Sequence, residues 1–270
     1  LRIQRFLSLS DIHVPTTDWD ALEWAYDQIK EFKPDVVVLN GDLFEADAAS
    51  RWPSEAEHDL LDEFIEAAMV LEGIRKVAGR GTRLVFLPGN HDANIGAPNR
   101  LSKKVRRVTN YKQNKHVAAA LEAWEHDFQY ISIPKHCTFS LGQVTFLHGF
   151  KSNASSDKAE ALQYGNEWGL VVRGHTHRPC EVTRVRHYST PINRWYANSG
   201  CLVQLDPPPD YVARKDTQEW GQAIVRGEAA VDLKSPRVGR YWDAETVIRR
   251  LAWEDGTPWR SKLKDCKYVP

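Results

Sequence analysis

Along the N-terminal third of the chain the hydrophobic pattern switches repeatedly between two periods. Apolar residues cluster between Ile3 and Leu9 in a β-prone run, take helical spacing from Trp19 to Phe32, and return as the short continuous run Asp35-Val-Val-Val-Leu39 that a buried strand carries. The cycle then repeats. Ser54 is placed to cap a long helix running to about Val77, with Glu57 three residues on as in a capping box, and Arg83-Leu-Val-Phe-Leu87 supplies a third strand. This β-α-β-α-β order predicts parallel strands joined by crossover helices.

Beyond residue 130 the runs shorten. Cys137 to Leu147 reads as a hairpin turning near Gly142, followed by a short helix over about Ser155 to Tyr164 and a strand from Leu170 to Arg173. Further strands are expected around Trp195 to Leu205 and Trp220 to Gly227, building a second sheet against the first. Asp206-Pro-Pro-Pro-Asp210 reads as a stiff surface connection and not as a domain boundary. From Asp243 an amphipathic helix over about Ala244 to Ala252 is expected, then a polar stretch with weak structural signals.

With 270 residues, 42% of them hydrophobic and 27% charged, the chain can build a sizeable core and is not a disordered polymer. Its 36 basic side chains balance its 36 acidic ones, so net charge argues for neither a nucleic acid nor a membrane partner, and any electrostatic preference must be local. Cys137, Cys180, Cys201 and Cys266 form no C-x-x-C pair, which gives no support to a thiolate zinc site or a redox motif. No apolar run approaches the roughly 20 residues that span a bilayer, and a cytoplasmic, reduced setting is expected. Several of the ten tryptophans lie beyond residue 165, where they could be core or ligand-facing; core is the expectation, because large aromatic rings bury well.

Chemistry concentrates in five short segments, each at or just after a predicted strand: Asp11-Ile-His13, Gly41-Asp42, Gly89-Asn90-His91-Asp92, His148-Gly149 and Gly174-His175-Thr-His177. Carboxylate, imidazole and amide oxygen together suit a divalent ion of intermediate softness such as manganese, iron or zinc. In sheets built from β-α-β units, ligands bind beyond the carboxyl ends of the strands, where such segments can converge. In Asp-x-His and His-x-His an extended backbone would point alternate side chains to one face, so Asp11 with His13, and His175 with His177, could share a target. The adjacent glycines leave room for close backbone approach. Each segment alone is weak; their ordered combination is not.

That ordered set resembles the signature of the calcineurin-like metallophosphoesterases: Asp-x-His, Gly-Asp, Gly-Asn-His-Asp/Glu, His, Gly-His-x-His. All blocks are present, in order, over roughly residues 3 to 205. The resemblance implies an α/β fold in which two mixed β-sheets pack as a sandwich flanked by helices. It implies a catalytic domain over 1–242, leaving 243–270 as a C-terminal helix and tail of unassigned role. It also implies two divalent metal ions, manganese first and iron, zinc or nickel as alternatives. Asp11, His13 and His177 would hold one ion, Asn90, His148 and His175 the other, and Asp42 would bridge them, with a metal-bridging hydroxide attacking the phosphorus. His91 resembles the family's substrate-facing histidine, Asp92 a partner that orients its ring, and Asn90 and His91 would meet the phosphate. Arg173 departs from the apolar residue often found before Gly-His-x-His; a phosphate contact and a salt bridge elsewhere are both open for it.

The substrate is less legible. Arg100, Lys103, Lys104, Arg106, Arg107, Lys112 and Lys115 follow one another with no acidic residue between, a local positive face that would attract a polyanion or simply be solvated. Gly41-Asp42-Leu43-Phe44 is similar to the same stretch in the DNA-repair nuclease branch, whereas the Asn198-Ser-Gly200 and Trp220-Gly221 region is similar to small phage and bacterial phosphoesterases. A phosphodiesterase, acting on nucleic acid or a nucleotide, is the expected activity. Phosphomonoester or phosphoprotein hydrolysis is the alternative, and a noncatalytic scaffold on this fold is disfavoured by the complete ligand set. His58, His116, His126, His136 and His187 match no block, and the oligomeric state is open.

Overall fold

The computed structural model describes residues 2–46, 60–96, 128–130, 138–153, 155–186, 193–208, 219–231 and 241–249. In chain order the elements are β1 (Arg2–Leu9), α1 (Trp19–Phe32), β2 (Val36–Asn40), α2 (Leu60–Ala78), β3 (Arg83–Leu87), α3 (Asn90–Gly96), β4 (Phe128–Tyr130), β5 (Thr138–Leu141), β6 (Val144–Leu147), α4 (Ser156–Tyr164), β7 (Leu170–Arg173), β8 (Cys180–Arg186), β9 (Asn193–Asn198), β10 (Ala223–Val231) and β11 (Trp242–Ile248). One sheet has the order β11-β10-β1-β2-β3-β4 and the other β5-β6-β7-β9-β8. Strands β1 to β4 run parallel, as do β6, β7 and β9, whereas β10, β11, β5 and β8 pair antiparallel with their neighbours.

The period of two along each buried strand assigns its side chains to separate layers. Phe6, Val36, Val38, Val85 and Leu87 face the second sheet, where they meet Phe139, Phe146, Leu170 and Val172. Leu7, Leu9, Val37, Leu39, Leu84 and Phe86 point the other way, onto Leu22, Ala25 and Ile29 of α1 and Ala67, Val70, Leu71 and Ile74 of α2. The outer face of the second sheet is covered by α4, whose Ala161 packs with Leu147, Val171 and Val185. The architecture is therefore helix, sheet, sheet, helix: the α/β sandwich of two mixed sheets expected from the sequence. Phe6 and Phe146 join the sheets edge to face, with ring centroids 5.3 Å apart.

Local chemistry explains where α1 begins and ends. The Asp18 carboxylate accepts hydrogen bonds from the N–H groups of Asp20 and Ala21, satisfying donors that the first helical turn leaves orphaned. The helix stops at Lys33, which turns left-handed at φ 50°, just before Pro34. The cap expected at Ser54 lies outside the described residues, as does the basic stretch from Arg100 to Lys115.

One expectation is corrected and another is met in part. In the described part of the helix expected over 244–252 there is a strand instead: Trp242–Ile248 is β11, paired with β10 from Ala223↔Ile248 to Ala229↔Trp242. Trp242 and Ala244 pack on the inter-sheet core while Asp243 and Glu245 face solvent, so the segment has the period of a strand. Glu245 also pairs with Arg226 across the ladder at 2.7 Å. The core expectation for the tryptophans beyond residue 165 is met in part: Trp195 and Trp242 pack against the inter-sheet core, but none of the four described ones is fully buried. Trp24 is buried, but Trp19 and Trp168 are exposed and Trp195, Trp220 and Trp242 half-buried. Among the described residues no helix is long and apolar enough to cross a membrane.

Candidate metal centre

The five segments converge at one end of the sandwich because each follows the carboxyl end of a parallel strand: β1, β2, β3, β6 and β7. Backbone bonds tie them to one another. Asp11 and His13 donate N–H to the carbonyls of Gly41 and Asp42, both within 3.0 Å, and Gly174 donates to His148. The carboxylates cross-link further: Asp11 accepts from the His175 N–H at 2.9 Å and Asp42 from the His91 N–H at 2.8 Å.

The spacing of Asp-x-His and His-x-His suggested extended backbone at the expected ligands, but the structure does not have it. Asp11, His13, Asp42, His175 and His177 sit at φ 54°, 50°, 53°, 69° and 59°, the left-handed region that costs side-chain-bearing residues free energy. Strain of this kind, about 1–3 kcal/mol per residue, concentrates where function requires a geometry the surroundings can enforce. Two glycines make the crowding possible. A Cβ at Gly89 would lie 2.1 Å from Asp42 Oδ1, and one at Gly174 would lie 2.3 Å from Asp11 Oδ2.

Two sets of three donors result, Asp11 with His13 and His177, and Asp42 with His148 and His175; the ligand atoms within each lie within 4.8 Å of one another. In the first, Nε2 of His13 faces Nε2 of His177 at 3.2 Å, with Asp11 Oδ1 3.1 Å from His177 Nε2. In the second, His148 Nδ1 lies 2.8 Å from the Asn40 carbonyl. A carbonyl only accepts, so Nδ1 carries the hydrogen and Nε2 is directed to Asp42 Oδ2 at 2.9 Å and Asn90 Oδ1 at 3.3 Å. Asp42 Oδ2 is also 3.8 Å from His13 Nε2, between the two sets.

The charge balance fits cations. Asp11, Asp42 and Glu45 are carboxylates of at most 1% exposure, and burying such charge without a counter-charge is prohibitive. Without metal, protons must take that role. Burial alone would lower His148, but the Asp42 and Asp11 carboxylates outweigh it and raise its pKa to about 9. Burial likewise opposes charge on His13, which Glu45 nevertheless holds well above the ordinary imidazole range. Burial would raise Asp42, yet the neighbouring His148 and His91 keep it well below the usual carboxylate range. Burial and the His148 charge lower His175 to about 4, and burial lowers His177. Neutral imidazoles and ionised carboxylates are the forms that bind divalent ions.

The partner of the His91 ring is not the one expected. Asp92 does not orient the His91 ring; its carboxylate accepts hydrogen bonds from the N–H groups of Asp42, Leu43, Phe44 and Gly89. It thereby holds the Asp42 loop against the start of α3. Burial and the adjacent Asp42 charge raise its pKa to about 6, against those backbone bonds. The His91 ring is instead held by Glu45, whose carbonyl accepts from Nδ1 at 2.6 Å and whose Oε1 lies 3.4 Å from the same nitrogen. Glu45 Oε2 lies 3.0 Å from His13 Nδ1, so one buried carboxylate touches both rings. The sequence reading missed Glu45, although an acid three positions beyond Asp42, one residue past the Gly-Asp-Leu-Phe stretch, was the available signal. His13, Glu45 and His91 also form a third compact group, but a Nδ1–H committed to the Glu45 carbonyl makes this a hydrogen-bonded set.

Arg173 does not face the cluster with a free guanidinium. It is fully buried, with Nη1 3.2 Å from both Asp157 and Glu160 of α4, so the salt bridge left open by the sequence is the one formed and the phosphate contact is set aside. Trp220 lies against His177, ring centroids 4.1 Å apart. The five unmatched histidines lie outside the described residues.

Among curated proteins none matches the chain. Among solved structures it is similar to a conserved uncharacterized protein of Streptococcus pneumoniae described as a predicted phosphoesterase, at 16% identity and TM-score 0.36, covering 96% of this chain and 94% of that one. It is also similar to Vps29 of Chaetomium thermophilum, at 12% identity and TM-score 0.46, covering 94% and 89%. The family profile described as calcineurin-like phosphoesterase matches residues 4–179, a span containing every one of the converging ligand segments. With that match over most of its length, the chain belongs to the calcineurin-like phosphoesterase family.

Proposed function

We propose that the protein is a two-metal phosphoesterase that hydrolyses a phosphodiester. Asp11, His13 and His177 would hold one ion and Asn90, His148 and His175 the other, with Asp42 shared. The observation that carries this reading is the pair of donor sets, buried except for a half-buried His175, with Asp42 Oδ2 within 2.9 Å of His148 and 3.8 Å of His13. Mixed imidazole, carboxylate and amide donors suit manganese, with iron, zinc or nickel as alternatives. Bound there, the ions would supply charge neutralisation, polarisation of the phosphoryl oxygen and an acidified water.

The chain's own residues set the rest. His91 and Asn90 reach solvent beside the buried donors, so an incoming phosphate meets them. Because His91 Nδ1–H is committed to the Glu45 carbonyl, Nε2 is the nitrogen that hydrogen-bonds a phosphoryl oxygen or gives its proton to the leaving oxygen. Glu45 fixes the ring and Asp92 fixes the Asp42 loop. The preference for a diester, and for a nucleotide or nucleic acid as its source, rests on the Gly-Asp-Leu-Phe likeness and the basic stretch 100–115.

The test is hydrolysis of a chromogenic phosphodiester and its matching monoester by protein stripped of metal and reloaded with manganese. Diester turnover that disappears in Asp42→Asn and falls by about 10²–10⁴ in His91→Ala is the expected result. Turnover of the monoester alone would replace the diester reading with a phosphatase, and absence of turnover with any of these ions would refute both.

A further inference from the structure

Arg173 ends β7, immediately before the Gly174-His175 ligand segment, and its guanidinium is enclosed on several sides. Nη1 pairs with Asp157 and Glu160 on α4. Nη2 donates to the Lys151 carbonyl at 2.9 Å, on the loop that carries His148. Glu160 grips the same loop, accepting from the Phe150 N–H at 3.0 Å. Asp157 reaches the other ligand loop through Asn198, whose amide lies within hydrogen-bond distance of Asp157, the Gly174 carbonyl and Thr176 Oγ1. The guanidinium also fills the space beneath Gly149, where a Cβ would lie 2.4 Å from Nη2. None of these atoms belongs to the donor sets, yet together they join α4 to both loops that carry donors from the second sheet.

We infer that Arg173, paired with Asp157 and Glu160, is a positioning residue that sets the spacing of His148 and His175 and thereby the affinity for the ion held with Asp42. This rests on the two-metal reading above. A buried guanidinium with a planar fork can fix three partners at once in a way neither lysine nor a neutral side chain reproduces. Partners that orient ligands without touching the metal change affinity by about 10–100-fold when lost. The ion at Asp11, His13 and His177 depends on the first sheet for two of its three donors, so its binding should change less.

Arg173→Met alone leaves two carboxylates without their counter-charge and can fail to fold. The informative protein is therefore Arg173→Met combined with Asp157→Asn and Glu160→Gln, in which the amide oxygens still accept from Asn198 and the Phe150 N–H. Manganese binding is followed by titration and by paramagnetic resonance, where an adjacent pair of ions gives a spin-coupled signal and a lone ion an isolated one. The wild-type chain should bind two ions and show the coupled signal. The triple variant, with the unfolding temperature of its metal-free form unchanged, should bind one ion normally and the second about 10–100-fold more weakly, showing the isolated signal until excess metal is added. A folded triple variant that binds both ions with wild-type affinity overturns the positioning role alone. A wild-type chain that never shows a coupled pair overturns the two-metal reading on which it rests.

Discussion

Protons and metal ions should compete directly at His148. Its Nδ1–H is committed to the Asn40 carbonyl, so the only nitrogen that can bind a metal is Nε2, which in the metal-free protein carries a proton toward Asp42. The gap between its ordinary pKa of 6.5 and about 9 in the fold corresponds to about 3 kcal/mol in favour of the imidazolium. The folded value lies above the unfolded one, so the metal-free protein has this stabilisation in full below pH 6.5 and loses it as pH rises through about 9. A metal ion replaces the proton. At pH 7 the site is about 100-fold disfavoured by that proton, and apparent manganese affinity should rise about tenfold per pH unit until it levels near pH 9, with at least one proton released per pair of ions. Calorimetric titration between pH 6.5 and 9.5, in buffers of different ionisation enthalpy, measures both quantities. Affinity independent of pH, with no proton release, would refute the argument that His148 is held charged by Asp42 and Asp11 until metal arrives. Thermal melts add a second check: the metal-free protein should weaken from pH 6.5 to 9 while the manganese form does not.

Three further outcomes are expected. Glu45→Gln removes the carboxylate charge that touches both His13 and His91, and should lower kcat by about 10–100-fold while manganese stoichiometry by atomic absorption stays at the wild-type value. Gly89→Ala drives a Cβ to 2.1 Å from Asp42 Oδ1 and 2.6 Å from the Asp42 backbone nitrogen; with backbone on one side there is little room to yield, so denaturant melts should show a loss of at least about 1–3 kcal/mol together with impaired metal binding. Lys33→Gly relieves a left-handed residue at the end of α1 and should stabilise the fold by about 0.5–1 kcal/mol in the same melts, with activity unaltered.

The features legible along the chain are those that depend on short range. The period switches along residues 3–87 located β1, α1, β2 and β3, because burial on both faces of a parallel strand and on one face of a helix leaves a signature in each segment separately. Turn chemistry at Gly142 located the β5–β6 hairpin, and the order of the five blocks pointed to side chains that the fold brings together. Strand β11 was not legible: Trp-Asp-Ala-Glu-Thr-Val-Ile is short enough to satisfy a helical period, and the exposed edge of β10 decides the matter by offering it a ladder. The inward-looking expectation for the later tryptophans held in part, with Trp195 and Trp242 packed on the inter-sheet core and Trp168 exposed, since a large ring at a sheet margin can shelter one face and leave the other in water.

At the site, residue identity and local order fix which candidate donors are present and which strands they follow. Their conformation was a tertiary decision: Asp11, His13, His175 and His177 are held left-handed, not extended, by bonds from loops far away in sequence. So were the partners. Glu45 reaching His91, Asp92 gathering backbone N–H groups, and Arg173 turning to α4 all join residues whose chain separation carries no periodic trace. The physical reason is common to them: a buried charge is satisfied by whichever opposite charge or hydrogen-bonding group the packed layers bring within about 3 Å, and only the assembled fold specifies that neighbour.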